Sequence, residues 1–95
     1  MPLLEQQPIV QRCAELFLVA PRDLVGRYRF DFVMRARFAL YLALRLQGRS
    51  YPNIGKIVDR DHSTVMNGVE RAEWFYKRDS VFAQKVQELS QIRVE

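Results

Sequence analysis

The stretch from residue 32 to residue 47 constrains the fold most. Val33, Met34, Ala36, the run Phe38 to Leu44, and Leu46 leave almost no side of a helix polar. A helix that is apolar nearly all round is buried nearly all round, so the rest of the chain has to wrap it. The unbroken apolar run is seven residues long, against the roughly 18 that a membrane-spanning helix requires. The element is therefore a domain core and not a bilayer span. A chain of 95 residues builds one domain around such a core, so residues 1–95 are expected to form a single unit.

The punctuation around this segment is helical too. Pro8 sits where a first turn accepts proline, and Ile9, Cys13, Leu16 and Phe17 follow at helical spacing, predicting a helix over about 8–18. Pro21 opens a short helical turn through Leu24, and residues 25–30 read as a loop. Asp31 is the expected N-cap of the 32–47 helix, and Gly48 its C′ residue. Ser50 and Pro52 start a two-turn helix whose inward side is Ile54, Ile57 and Val58. The triplet Asp59-Arg60-Asp61 interrupts it, and Asp61 caps a helix from 62 to about 78. Beyond Asp79-Ser80, Phe82, Val86 and Leu89 mark a last amphipathic helix. No segment alternates with period two, so the fold is all-α with five to six helices.

Several chemistries are excluded by the residue inventory. One cysteine, Cys13, and one histidine, His62, provide neither an intrachain disulfide nor the three or four ligands of a zinc site. No metal or cofactor is expected, and the simplest setting is reducing and cytoplasmic. The chain begins without a basic n-region, so no secretory signal is read. His62 and Ser63 are helix neighbours about 100° apart, too divergent to form a nucleophile and base without a third group. Apart from Asp59 and Asp61 flanking Arg60, no carboxylates are paired in spacing, so an enzyme is not expected. Cys13 reads as core filling. Trp74 and Phe75 read as core beneath the last helix, with a protein-binding patch as the other reading.

The net charge of +4 is modest but unevenly placed. Residues 21–49 hold seven arginines against Asp23 and Asp31, and no lysine. A guanidinium's planar fork matches phosphate oxygens and base edges, so an arginine-only stretch points to nucleic acid, or else to a solvated basic face. The helices over 52–58 and 62–78, joined by a tight polar turn, have the proportions of a helix-turn-helix. With Val65 at zero and 100° per residue, Val69, Ala72 and Tyr76 fall within about 40° and form an inward stripe. Ser63 and Asn67 lie nearly opposite it, with Thr64 and Arg71 on the shoulder and His62 in the first turn. All of these side chains can hydrogen-bond a base or a phosphate, although first-turn Ser and Thr also serve as plain caps.

The string Gly55-Lys56-Ile57-Val58-Asp59-Arg60-Asp61-His62-Ser63-Thr64-Val65, preceded by Ser50-Tyr51-Pro52-Asn53-Ile54, resembles the signature of the C-terminal DNA-binding domain of the bacterial replication initiator DnaA. Leu16-Phe17, Asp23-Leu24, Gly26-Arg27-Tyr28-Arg29, Arg35-Ala36-Arg37 and Ala39-Leu40-Tyr41-Leu42 follow the same domain's order, so the resemblance covers about residues 8–78, with 79–95 as a C-terminal helix. It implies a Trp-repressor-like helical fold whose helix-turn-helix reads the DnaA box, a short asymmetric A/T-rich duplex site, while a basic loop reaches the adjacent minor groove. By the same resemblance Asp61 would accept from a cytosine amino group, and His62, Ser63 and Thr64 would meet thymine methyls and phosphates. Arg29, with Arg27 beside it, would be the minor-groove arginine. Arg35 and Arg37 compete for a base-reading role, because the spacing from Arg37 to Gly55 is one residue short of the commonest family pattern. Arg60, Asn67 and Arg71 complete the expected DNA-binding set.

Departures from the family pattern bear on sequence preference. Tyr28, Phe30 and Asp31 interrupt a loop that is usually more basic, Ser63 replaces a threonine, and Asp59 replaces one of a glycine pair, where it is expected to orient Arg60. Gly68 falls mid-helix, where it is expected to permit close packing against the 52–58 helix. No G-x-x-x-x-G-K-[ST] string is present, and Met1 with a short leader suggests a complete small protein acting without an ATPase. Two functions from different classes follow. One is sequence-specific binding of double-stranded DNA as a monomer, regulating replication initiation or transcription. The other is an interaction module that binds the replication initiator or another replication factor through Trp74 or the last helix. Neither a membrane nor a small-molecule substrate is expected as a partner.

Overall fold

The structure, a computed structural model, describes residues 3–95. A 3-10 turn, Leu4–Gln6, precedes six α-helices: α1, Pro8–Phe17; α2, Pro21–Val25; α3, Asp31–Leu46; α4, Tyr51–Val58; α5, His62–Arg78; and α6, Ser80–Ser90. No strand occurs among the described residues. The all-helical expectation holds with six helices, and only the 3-10 turn had no sequence signal.

α3 is the axis of the domain and touches each of the other five α-helices. Val33, Ala36, Ala39 and the run Leu40 to Leu44 are buried along it, as an element apolar on most sides has to be. The amphipathic helices close around α3 with the faces their spacing predicts. α1 contributes Ile9, Val10, Cys13 and Ala14; α5 contributes Val65, Val69 and Ala72; α6 contributes Phe82, Val86 and Leu89. Tyr76, expected on the inward stripe of α5, is half-buried at its margin. Full burial of aliphatic side chains of this size contributes about 1.5–3 kcal/mol each. The Cys13 thiol donates to the Ala36 carbonyl at 3.4 Å, and burial pushes its pKa up to about 12, which makes it inert packing.

The helix ends show which sequence signals were sufficient. Ser50 accepts from the Asn53 amide at 3.2 Å, and Asp79 accepts from the Phe82 amide at 3.0 Å. Gly48 lies just past the C-cap of α3 with φ +89°, the left-handed conformation that favours glycine. Asp31 does not cap α3. It is the first helical residue, and Phe30 occupies the cap position with extended backbone and no side-chain bond; the carboxylate still favours the positive end of the helix. Gly68 also departs from expectation, because it packs against α3 and not α4. A Cβ there would lie 2.5 Å from Cδ2 of buried Tyr41 and 3.3 Å from Phe38.

The chain ends are tied by amide side chains. Buried Gln7 donates through Nε2 to the Glu95 carbonyl at 2.6 Å and accepts from the Glu95 amide at 2.9 Å. Gln47 donates to the Ile92 carbonyl at 2.7 Å. These bonds pin the segment after α6 across the base of the bundle.

Candidate nucleic-acid interface

The turn between α4 and α5 is built around one missing side chain. A Cβ on Gly55 would lie 2.6 Å from the Arg60 carbonyl oxygen and 3.5 Å from the His62 amide nitrogen. Only glycine lets the turn fold back that closely, and the Arg60 amide then donates to the Gly55 carbonyl at 2.9 Å. Asp59 takes the left-handed conformation, φ 56°, which aspartate tolerates better than most residues. Asp61 then caps α5, its Oδ1 accepting from the Ser63 amide at 2.8 Å and from the Ser63 hydroxyl. These bonds hold the Asp61 carboxyl below its usual pKa, with the Ser63 hydroxyl the larger cause and the Ser63 amide next. The result is two helices at a fixed, three-residue corner.

With the corner fixed, α5 divides as its helical wheel predicts. Val65, Gly68, Val69 and Ala72 are buried, whereas His62, Ser63, Thr64, Asn67 and Arg71 are all exposed. The Ser63 hydroxyl donates its proton to Asp61, so toward any other group it serves as an acceptor. Both Ser63 bonds fall on Oδ1 of Asp61, and Oδ2 has no partner among the described residues. His62 Nδ1 lies 4.0 Å from Asp61 Oδ1.

Beside this face runs a basic trough. Arg27, Arg29, Arg60 and Thr64 line a concavity of about 260 Å³. Arg29 also lines the adjoining concavity of about 390 Å³, together with Arg35, Arg71 and Phe75. Arg60 is shared with a third, about 420 Å³, that includes Lys56, Asp61 and His62. The loop, the start of α3, the corner and the first turns of α5 thus form one continuous surface. The Arg–carboxylate pairs among the described residues are Arg12 with Glu15 and Arg12 with Glu88, so no arginine of the trough is in a salt bridge, although Asp31 lines the second concavity and Asp59 and Asp61 the third. Arg35 lies over the Phe75 ring at 4.5 Å, and Arg71 over Phe38 at 5.9 Å. Such stacking orients a guanidinium and leaves its in-plane donors free.

Two arginines of the expected DNA-binding set also bond the framework. Arg37 is only 6% exposed. Its Nε donates to the Leu24 carbonyl at 2.8 Å and its Nη2 to the Asp23 carbonyl at 2.8 Å. Burial lowers its pKa, Tyr41 opposes that shift, and the nearby charges of Arg60, Arg29 and Arg27 reinforce it. Arg60 donates through Nη2 to the Val25 carbonyl at 2.9 Å and to the Gly26 carbonyl, and through Nη1 to the Asp59 carbonyl at 2.8 Å. Asp59 therefore does position Arg60, but through its main chain. Together the two arginines donate to four consecutive carbonyls, Asp23 to Gly26, at the end of α2, where a helix terminus leaves most carbonyls without intrahelical partners. Of Arg35 and Arg37, the two expected to compete for a base-reading role, Arg35 is exposed, whereas Arg37 is held as an internal clamp whose side chain still lines the concavity of about 260 Å³. Arg60 stays half-exposed at the corner and joins the loop to the helix-turn-helix.

Sequence reasoning missed Lys56, which faces the corner concavity. A wheel of α4 places it opposite Ile54 and Val58, a signal that was available. Trp74 is corrected from core to surface: it is 54% exposed, with the Arg78 guanidinium over its ring at 4.2 Å, while Phe75 packs on Phe82 at 5.5 Å. No helix among the described residues is long and apolar enough to cross a membrane.

The family model described as bacterial dnaA protein helix-turn-helix matches residues 7–72. The chromosomal replication initiator protein DnaA of Cereibacter sphaeroides (strain ATCC 17029) is 35% identical over 88 residues, 90% of this chain and 19% of the relative. The protein of the same name from the Wolbachia of Brugia malayi is 35% identical over 83 residues, 85% of this chain and 18% of the relative. That from Oenococcus oeni is 35% identical over 86 residues, 87% of this chain and 19% of the relative. The chain thus spans less than a fifth of the length of these relatives.

Proposed function

Because the chain belongs to the bacterial DnaA helix-turn-helix family, we propose that it binds double-stranded DNA at DnaA-box-like sites, α5 entering the major groove while the Arg27–Arg29 loop reaches the adjacent minor groove. The observation that carries this reading is the continuity of the exposed row His62, Ser63, Thr64 and Asn67 with a trough whose arginines outnumber its one acid, Asp31, and form no salt bridge. The row supplies hydrogen-bonding groups of a size that reaches base edges, and the trough supplies sequence-independent phosphate attraction. In this reading Thr64 and His62 discriminate bases, Asp61 accepts from a base amino group through Oδ2, Arg29 serves the minor groove, and Arg35, Arg71 and Lys56 hold phosphates.

One such module covers roughly 600–1,000 Å² and one asymmetric site, so the protein binds as a monomer. These 95 residues contain no phosphate-cradling loop, and the contact with DNA takes no nucleotide. Its role is regulatory, in replication initiation or transcription, through occupancy of sites that the full initiator also uses. The test is competition on a single-box duplex already carrying the initiator. Simple displacement in proportion to free protein is expected. A larger ternary complex, unaffected by His62→Ala, would transfer the function to the exposed Trp74 surface and support an initiator-binding module instead.

A further inference from the structure

The loop that supplies Arg27 and Arg29 has a second face. Tyr28, Phe30 and Phe32 are 49%, 56% and 58% exposed, an unusual outlay of aromatic surface in three alternating positions. Phe30 is extended, φ −66° and ψ 145°, and Phe32 follows in the first turn of α3. The arginines at 27 and 29 line the trough, and none of the three rings does. The rings form a ladder of their own: Tyr28 to Phe30 at 4.9 Å between centroids, and Phe30 to Phe32 at 6.0 Å with only 11° between planes. Burial in the core does not account for them, because none belongs to it.

We infer that Tyr28, Phe30 and Phe32 are a stacking platform for unpaired bases of single-stranded DNA, separate from the duplex-facing trough. Charge chooses the occupant. Between residues 24 and 36 the cations are Arg27, Arg29 and Arg35, and Asp31 is the one acid. Flat π faces bracketed by positive charge complement a polyanion that carries flat rings, and every base has a face to stack, so the platform is tolerant of sequence. An acidic or purely apolar protein partner would match only half of that surface. The inference stands independently of the duplex reading, since it uses the other side of the loop.

The experiment titrates the full chain with three labelled probes by fluorescence anisotropy at one salt concentration: a (dT)12 strand, a 12-mer of the same charge whose sites are all abasic, and a DnaA-box duplex. The platform predicts tighter binding of (dT)12 than of the abasic strand. Phe30→Ala and, independently, Phe32→Ala should weaken (dT)12 by about 5- to 150-fold, the range for losing one base-stacking ring. Both should leave the abasic strand and the duplex unchanged, and Phe30→Trp should restore (dT)12 binding. Equal affinity for (dT)12 and the abasic strand would overturn the platform, as would an alanine variant that weakens the duplex as much as (dT)12. Loss of duplex specificity with (dT)12 binding intact would refute the duplex reading alone.

Discussion

Replacing Gly55 by alanine tests whether the corner of the helix-turn-helix depends on a single absent Cβ. The added carbon would sit 2.6 Å from the Arg60 carbonyl oxygen, a main-chain atom that cannot rotate away, so the corner has to open by several tenths of an ångström. Overpacking of this kind costs about 1–3 kcal/mol. Against it stands a gain of about 1 kcal/mol from placing alanine instead of glycine inside a helix. The net expectation is a loss of up to about 2 kcal/mol, which for a domain of this size lowers Tm by up to about 8–16 °C. The larger consequence falls on DNA. The same Cβ would lie 3.5 Å and 3.6 Å from the amide nitrogen and Cα of His62, so relief of the clash displaces the first turn of α5. Discrimination between box and scrambled duplex should fall by about 1–3 kcal/mol, the worth of a well-placed base contact. Thermal unfolding and duplex titration measure the two effects. Gly48→Ala is the control: its Cβ meets nothing within 4 Å, and only its φ of +89° is penalised. That variant should lose stability and keep its affinity for DNA. A Gly55→Ala protein that gains about 1 kcal/mol of stability and reads the box like the parent would refute the close-approach argument.

Three further outcomes follow from the same geometry. Arg60→Ala leaves the Val25 and Gly26 carbonyls without their donor and should destabilise the domain by about 1–3 kcal/mol in urea unfolding; lysine, a point charge in place of a fork, should recover only part of it. Arg29→Ala should weaken all duplexes and reduce the log–log salt slope by about one, with unchanged slope and affinity marking Arg29 as a merely solvated charge. The Asp61 carboxyl is held below its ordinary pKa of 3.8 by Ser63. Its contribution to stability is therefore complete above that pH and is lost as pH falls through the lower native value. The Ser63 amide resonance should titrate with a midpoint below 3.8, and a midpoint at or above it would show that the cap does not hold the carboxylate.

How much of this was legible in the sequence depended on the range of the interaction. Helix positions and caps at Ser50 and Asp61 were readable because capping is a local bond over two or three residues. The faces of α5 were readable because a wheel needs no partner. The fates of Arg37 and Arg60 were not. Their donors reach carbonyls 13 and 35 residues away, and nothing in an arginine's neighbours distinguishes one that clamps a remote helix end from one that meets a phosphate. The same limit moved Gly68 from α4 to α3 and left the Gln7–Glu95 clasp, 88 residues apart, without a signal. Trp74 was misplaced for a different reason. Large aromatic side chains are usually well covered, but Trp74 lies outside the arc set by Val65, Val69 and Ala72, and the wheel was the better guide.

The central claim, that the exposed first turns of α5 read base sequence, is tested most directly by measuring the specificity ratio of one protein and one variant. Affinities for a DnaA-box duplex and for a scrambled duplex of equal length are determined at about 150 mM salt, for the parent and for Thr64→Ala. A base-reading α5 gives the parent a ratio of at least about 10³. Thr64→Ala should reduce it by about 1–3 kcal/mol entirely through the box, leaving the scrambled duplex unchanged. Equal affinity of the parent for both duplexes, or equal losses on both in the variant, would contradict it.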